Sequence, residues 1–212
     1  MVYHHQTPHT HTHNTRYTET KNQWARDDPA FVAVLVVLLL ASSVAHSLAL
    51  GPLSVGVTFA LLAWHVLVDF LLVAACVATL AWLLCNRYLR VRGGVHTHSL
   101  EQSVEWLYAF DVHCNAFFPL FLLLHVLQFL VWPLLLSERF VATLAANTLY
   151  LFAHAYYWHV TFLGYNALPF LQKTVVFVYP TAVLVVLYFV ALAVGWNASR
   201  LSTEFDLWRV GL

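Results

Sequence analysis

Charged residues are what this sequence has least of. Only 9% of its 212 residues are Asp, Glu, Lys or Arg, whereas a soluble domain has about 25%. A chain with so few charges cannot cover a surface that faces water, and 61% of its residues are hydrophobic. The composition therefore excludes a soluble domain and predicts an integral membrane protein.

An excess of one charge and a disulfide framework are also missing. Ten basic residues balance ten acidic ones, which gives no support to a nucleic-acid or anionic-surface role. The three cysteines, Cys76, Cys85 and Cys114, are an odd number in or beside apolar segments, so no disulfide framework is predicted. No cleavable signal peptide is visible, because the sequence starts with a polar stretch. The first apolar run is therefore expected to act as its own insertion signal.

Long apolar runs are abundant, and turn residues or polar connections separate them. Because about 20 apolar residues cross a bilayer as a helix, this pattern predicts an all-α, polytopic membrane helix bundle with about five transmembrane helices. The predicted membrane domain covers residues 23–212, after a His- and Thr-rich tail at 1–22 that is expected to be disordered. The predicted spans are residues 30–50, 60–84, 110–135, 140–162 and 173–196.

The distribution of Lys and Arg predicts the orientation of the bundle. With five spans, an amino terminus in the cytosol leaves Arg16, Lys21, Arg26, Arg87, Arg90, Arg92 and Lys173 on the cytosolic side. It leaves only Arg139, Arg200 and Arg209 on the lumenal side. This bias favours a cytosolic amino terminus and a lumenal carboxyl terminus. The lumenal tail would then expose the sequon that begins at Asn197, but poor glycosylation is expected so close to the last span.

Turn and capping residues predict where individual helices begin and end. Ser99 and Gln102 have the form of a capping box, so the third helix is expected to start near Ser99 and to bend at Pro119. The segment 164–169, which begins with glycine and ends with proline, is expected to form a tight turn.

Polar side chains recur inside the predicted spans. Ser43, His46 and Ser47 gather on one side of the first span, and Asn147, Tyr150, His154, Tyr157 and Thr161 follow one face of the fourth. An ionisable group in a bilayer is costly unless it faces other protein. The candidate intramembrane polar cluster comprises His65, Asp69, Asp111, His113, Asn115 and His154. Two interpretations stay open for it: hydrogen bonds that fix helix packing, or a proton or ion relay.

A membrane metalloenzyme would need ligands on a shared face. The histidines available for it are His113, His125, His154 and His159, but the paired spacings that metal enzymes place on one helix are absent. The sequence predicts neither catalytic residues nor a metal site nor a cofactor.

A second candidate site lies at the predicted cytosolic ends of the spans. Aromatic and charged side chains there suit recognition of a protein partner or of lipid headgroups, and they are also ordinary residues of a membrane boundary. The candidate cytosolic partner surface comprises Trp24, Arg26, Asp27, Asp28, Arg87, Arg90, Arg92 and Glu105.

Several motifs, taken in order, resemble one family. They are residues 23–31 (QWARDDPAF), 104–106 (VEW), 109–113 (AFDVH), 115–117 (NAF), 160–165 (VTFLGY) and 167–171 (ALPFL). Trp64, Asp69 and the segment 195–197 also fit. Together these motifs resemble the Unc-fifty family (uncoordinated-fifty homologues) over about residues 20–198. Relatives carry a longer basic and aromatic region before the first motif, where this chain has its His/Thr tail.

The resemblance implies a five-span Golgi membrane protein of the early secretory pathway. It implies roles in the transport of nicotinic acetylcholine receptors to the cell surface and in the function of guanine-nucleotide exchange factors for Arf GTPases. RNA binding and an inner nuclear membrane location are ascribed to some relatives, and the endoplasmic reticulum is a further location to consider. No catalytic residues are carried over. The leading interpretation is a non-enzymatic trafficking factor, and the alternative is a small-molecule or ion carrier that uses the polar cluster.

Overall fold

The computed structural model describes residues 30–51, 53–91 and 102–211. These residues form helices joined by short connections, and no strand occurs among them. The all-α class predicted from composition is therefore confirmed. The helices are α1 (Ala30–Leu50), α2 (Val55–Leu89), α3 (Trp106–Leu130), α4 (Trp132–Leu135), α5 (Phe140–Asn166), α6 (Thr174–Val194) and α7 (Ala198–Arg209).

Four of these helices, α1, α2, α3 and α6, are long and apolar enough to cross a membrane. Helix α5 is also long enough, at about 40 Å for a rise of 1.5 Å per residue. It is more polar than those four. It packs against α3, α4, α6 and α7, and several of its polar residues are buried in these contacts. The chain is thus a polytopic helix bundle, and the fifth predicted span, which falls on α5, stays a prediction.

The bundle has two ends that differ in charge. The basic end comprises the carboxyl ends of α2 and α5 and the amino ends of α3 and α6, and it carries Arg87, Arg90 and Lys173. The opposite end comprises the carboxyl ends of α1, α3 and α6 and the amino ends of α2 and α5, together with α4 and α7. Two clusters of buried residues fill the interior. One lies between α2, α3, α5 and α6 and includes Tyr165, stacked on Phe177 at 4.3 Å. The other joins α1, α2 and α3 around Phe70 and Phe121.

Several stretches of the long helices are π-helical. They are Trp64–Leu72 and Cys85–Leu89 in α2, and Leu122–Leu127 in α3, which follows Pro119 closely. Proline removes a helical hydrogen bond, and such defects are often absorbed by a π-helical turn. Two of these stretches carry His65, Asp69 and His125, and π-helical turns occur frequently at functional sites.

The predicted start of the third helix is wrong by several residues. Residues 102–105 are not helical, and α3 begins at Trp106. The cause is Asn86 of α2, whose side-chain amide donates to the Val104 carbonyl at 2.9 Å and whose oxygen accepts from the Val104 N–H at 2.9 Å. This pair of bonds holds the segment before α3 in an extended conformation.

The predicted turn at 164–169 is also partly wrong, because α5 continues to Asn166. Gly164 lies in the helix, where a Cβ atom would approach Val112 Cγ1 to 2.9 Å. Glycine here permits close packing of α5 on α3 and does not break the helix. The connection to α6 then pairs with the end of α2, where Gln172 N–H donates to the Leu89 carbonyl at 2.8 Å.

The segment after Trp196 is predicted to be a lumenal tail, but it forms helix α7, which folds back against the bundle. Asn197 caps this helix by accepting a hydrogen bond from Arg200 N–H at 3.1 Å. Capping by asparagine satisfies one of the free amide groups at a helix start. Leu201, Phe205 and Trp208 follow at helical spacing.

Candidate functional site

The amino end of α7 is anchored to the bundle by two asparagines. Asn197 is 6% exposed and donates to the Leu135 carbonyl at 2.7 Å. Asn147 of α5 donates to the Trp196 carbonyl at 2.8 Å and accepts from the Ala198 N–H at 2.9 Å. Both amides are therefore fully engaged with backbone groups, and the start of α7 is fixed in position. The Asn197 side chain of the predicted sequon is buried in this contact.

The other end of α7 is anchored by a salt bridge to the middle of α2. The Arg209 guanidinium donates to both oxygens of Asp69, at 2.7 and 2.8 Å. It also lies 3.6 Å from Asp206 and over the rings of Trp64 (5.3 Å) and Phe205 (4.2 Å). A bidentate pair of this kind is stronger and more directional than a single ionic contact. Asp69 is thus neutralised by a residue 140 positions further along the chain.

His65 connects α1, α2 and α7. Its Nδ1 is hydrogen-bonded to Ser43 Oγ at 2.8 Å, and its Nε2 lies 3.6 Å from an oxygen of Asp206. The ring of His125 is 6.1 Å from that of His65 and 6.2 Å from that of His46. We call this group the polar junction; it comprises Ser43, His46, His65, Asp69, His125, Asp206 and Arg209.

The polar junction contains one set of side chains that is able to hold a metal ion. Ligand atoms of His65, Asp69 and Asp206 all lie within 4.8 Å of one another. However, the Arg209 guanidinium bonds to both Asp69 oxygens and lies beside Asp206. An internal cation therefore takes the place in which a metal would bind. Imidazole and carboxylate are suitable ligands for a divalent transition metal, but here they are arranged as an ion-pair network.

Of the six residues of the candidate intramembrane polar cluster, His65 and Asp69 meet in the polar junction. The side chains of His113, Asn115 and His154 are hydrogen-bonded to other groups. His113 Nδ1 is hydrogen-bonded to the Tyr157 hydroxyl at 2.8 Å. His154 Nδ1 bonds to the Tyr150 carbonyl on its own helix at 2.8 Å. Asn115 is exposed and donates to the Asp111 carbonyl at 2.9 Å, also within its own helix. On α3, the side chain of Asn115 is exposed and that of His113 is buried, so these two members face in different directions.

The buried His113–Tyr157 pair lies beside an apolar cavity of about 200 Å³ between α2, α3, α5 and α6. Its lining includes Ala81, Ala109, Thr161 and Phe177. The Nε2 atom of His113 is buried without a hydrogen-bond partner. The histidines considered for a metalloenzyme do not assemble here: His154 bonds to its own helix, His159 is exposed and His125 lies in the polar junction.

Three members of the candidate cytosolic partner surface lie at the basic end. Arg87 is exposed beside Tyr88, with its guanidinium 5.9 Å from the ring centre. Arg90 follows at the end of α2, where its backbone pairs with Leu171. Glu105 is exposed immediately before α3. The remaining members, Trp24, Arg26, Asp27, Asp28 and Arg92, lie outside the described residues, as does the tail at 1–22.

No local pattern of residues indicates that Asp206 and Arg209 reach Asp69 and His65, because these partners are distant along the chain. The sequence did contain a signal for the helix that carries them. Asn197 at the capping position, three apolar residues at helical spacing and Arg209 in the last turn are typical of a short amphipathic helix.

Comparison with known proteins gives consistent matches. The model of the UNC-50 family matches residues 1–207. The chain is 51% identical over 181 residues to "Protein unc-50 homolog" of Dictyostelium discoideum, covering 85% of this chain and 69% of that protein. It is 45% identical over 193 residues to "Protein unc-50 homolog" of Homo sapiens, covering 91% and 72%. It is 44% identical over 188 residues to "Protein unc-50" of Caenorhabditis elegans, covering 88% and 60%. No solved structure matches the chain.

Proposed function

This chain belongs to the UNC-50 family, and from this membership we propose that it is a non-enzymatic Golgi membrane protein of the early secretory pathway. In this role it supports protein transport and the delivery of membrane receptors, such as nicotinic acetylcholine receptors, to the cell surface. It does so through Arf exchange factors, which reach the Golgi membrane from the cytosol. The observation that carries the mechanism is the rigid, exposed basic end of the bundle.

The basic end is suited to hold a cytosolic protein. Arg87 and Glu105 are exposed there, and Arg90 follows Arg87 at the end of α2. The Asn86–Val104 hydrogen bonds and the pairing of residues 89–91 with 170–172 fix the backbone around these side chains. A preorganised charged surface binds with a smaller loss of conformational entropy than a mobile loop does. By the positive-inside rule this end faces the cytosol.

The alternative function, a carrier that uses the intramembrane polar residues, receives less support. A proton or ion relay needs ionisable groups that face a shared path and can change charge. Asp69 is held in a bidentate pair with Arg209, and His113, Asn115 and His154 have separate contacts. These contacts favour a packing role for the polar residues.

The partner surface can be tested by charge reversal at the basic end. Arg87→Glu combined with Arg90→Glu is expected to lower the recovery of Arf exchange factors on the tagged protein roughly tenfold, because two attractive charges become repulsive. The matched control is Glu138→Lys with Arg139→Glu, which reverses two exposed charges in the turn at the opposite end. Recovery that is equal for both double variants would contradict the proposed surface.

Receptor delivery gives a second readout of the same proposal. In cells that lack the endogenous protein, the wild-type chain and the control variant should restore nicotinic receptors at the cell surface. The variant with the reversed basic end should remain in the Golgi and fail to restore them. Full restoration by that variant would show that receptor delivery does not depend on the basic end.

A further inference from the structure

Helix α7 has an unusual distribution of polar and apolar side chains. Its inner face, which packs on the bundle, is polar: Ser199 is completely buried, and Asp206 and Arg209 reach into the polar junction. Its outer face is apolar, with Leu201, Phe205 and Trp208 exposed, the last at 71%. A helix on the surface of a protein in water has the reverse arrangement, because its apolar face packs inward. The medium outside α7 is therefore expected to be apolar.

The depth of the contacts made by α7 agrees with an apolar medium. His65 and Asp69 lie about 15 and 21 Å along α2 from Val55, at a rise of 1.5 Å per residue. Ser43, which bonds to His65, lies about 10 Å before the end of α1 on the same scale. Helix α7 thus packs beside the membrane-spanning helices and not beyond their ends. With 12 residues and a length of about 18 Å, it is too short to cross the bilayer.

The apolar face of α7 continues onto the outer surface of α2. The Arg209 guanidinium lies 4.2 Å from the centre of the Phe205 ring and 5.3 Å from the centre of the Trp64 ring. Trp208 stacks on Phe205 at 5.7 Å, and Leu67, one turn beyond Trp64, is also exposed. Because α2 is a membrane-spanning helix, the exposed side of Trp64 and Leu67 faces lipid. The same lipid surface extends over α7.

One edge of α7 is charged. It faces the connection between α4 and α5, at the end of the bundle opposite the basic end. Arg200 donates to the Leu136 carbonyl at 2.9 Å and lies 3.8 Å from Glu138, whose side chain is 91% exposed. Glu204 is four residues from Arg200 and so shares this edge. A charged edge beside an apolar face is typical of a helix at the boundary between headgroups and acyl chains.

From these observations we infer that α7 is embedded in one leaflet of the bilayer at the opposite end of the bundle. Its partner is membrane lipid: Leu201, Phe205 and Trp208 contact acyl chains, and the edge with Arg200 and Glu204 faces the headgroups. Its polar face closes the polar junction against the lipid. Helix α7 is thus a membrane-embedded element of the bundle, and its placement is independent of the role in trafficking.

The reactivity of introduced cysteines with a membrane-impermeant maleimide tests this placement in protein reconstituted into lipid nanodiscs, which expose both membrane surfaces. The three native cysteines are first replaced by alanine. Single cysteines are then placed at Leu201, Phe205 and Trp208, all exposed positions. Leu201 and Trp208 lie outside the polar junction, whereas Phe205 lies against the Arg209 guanidinium. Leu187→Cys, on the exposed side of α6, is the control for lipid, and Glu138→Cys is the control for water.

The three α7 cysteines should react as slowly as the cysteine of Leu187→Cys, and at least about tenfold more slowly than that of Glu138→Cys, because the reactive thiolate is disfavoured in hydrocarbon. In detergent-free unfolding buffer all should react alike. Reaction of two or more α7 cysteines at the rate of the Glu138→Cys control would overturn the inference. In that case α7 would present its aromatic face to water, as a docking surface for a protein would.

Discussion

Arg209 joins two carboxylates and two aromatic rings in the polar junction, so its loss affects several groups together. Its side chain is 14% exposed, and that of its partner Asp69 is 36% exposed. The contribution of this pair should therefore fall between that of a surface ion pair, at most about 1 kcal/mol, and that of a buried pair, whose disruption costs about 3–5 kcal/mol.

A double-mutant cycle measures this contribution. Arg209→Gln and Asp69→Asn are each expected to lower the free energy of unfolding by about 2 kcal/mol, because each leaves one charge without its partner. The double variant should cost little more than either single one, which gives a coupling energy of about 1–2 kcal/mol. Thermal or denaturant unfolding in a fixed lipid–detergent mixture supplies the values.

The control for this cycle is Glu138→Gln, since the Arg200–Glu138 contact is longer and nearly fully exposed. It should change the free energy of unfolding by less than about 0.5 kcal/mol. Strict additivity of the Arg209 and Asp69 substitutions would show that the two side chains do not stabilise each other.

Residue patterns predicted parts of this site and missed others for a physical reason. His65 and Asp69 were both assigned to the intramembrane cluster, and they lie close together because neighbours four apart share a helix face. Their spacing could not indicate Arg209 as their partner, since a contact across 140 positions depends on the complete fold. Asn115 was assigned to the same cluster, but its amide donates to the Asp111 carbonyl of its own helix on an exposed face.

At the level of helices, the contact of α5 with α3 depends on the absence of a side chain at Gly164. A Cβ atom there would lie 2.9 Å from Val112 Cγ1. Gly164→Ala is therefore expected to lower the free energy of unfolding by about 1–3 kcal/mol through overpacking. Combining it with Val112→Ala should remove the clash, so the double variant should be less unstable than the sum of the two single ones. Unfolding of the purified variants in one detergent measures both effects.

Gly56 provides a matched control for this substitution. It is helical like Gly164, but nothing lies within 4 Å of the position of its Cβ atom. Gly56→Ala should stabilise the protein by up to about 1 kcal/mol through the higher helix propensity of alanine. If both substitutions changed stability in the same direction, close packing at Gly164 would not be the cause.

Helix boundaries were predictable where hydropathy alone decides them. Helix α1 occupies Ala30–Leu50, the range expected from its apolar run. The start of α3 was not predictable, because the Asn86 side chain of another helix holds residues before it in an extended form. Gly164 was predicted to lie in a turn because glycine usually breaks helices. In the structure it lies in α5 and allows this helix to pack closely on α3. Helix α7 was not predicted, because its polar face packs inward. Its partners there, His65 and Asp69 of α2, are distant in sequence.

For the whole molecule, the arrangement of the helices predicts which ends face each compartment. If the basic end faces the cytosol, Arg87→Cys in a background without the native cysteines should react with an impermeant maleimide in sealed vesicles whose cytosolic face points outward. Glu138→Cys, at the opposite end, should react only after the vesicles are permeabilised. The reverse pattern would mean that the bundle is inserted the other way, and the proposed contact with Arf exchange factors would then lose its basis.

The central claim for the whole molecule is that the C-terminal segment is a folded part of the membrane bundle, fixed at Asn197 and at Arg209. Hydrogen–deuterium exchange of the unmodified protein in lipid nanodiscs tests it most directly. Backbone amides of residues 201–209 should exchange at least about a hundredfold more slowly than in an unstructured peptide, because they are helical and held by the bundle. Exchange of this segment at the rate of an unstructured peptide would contradict the account.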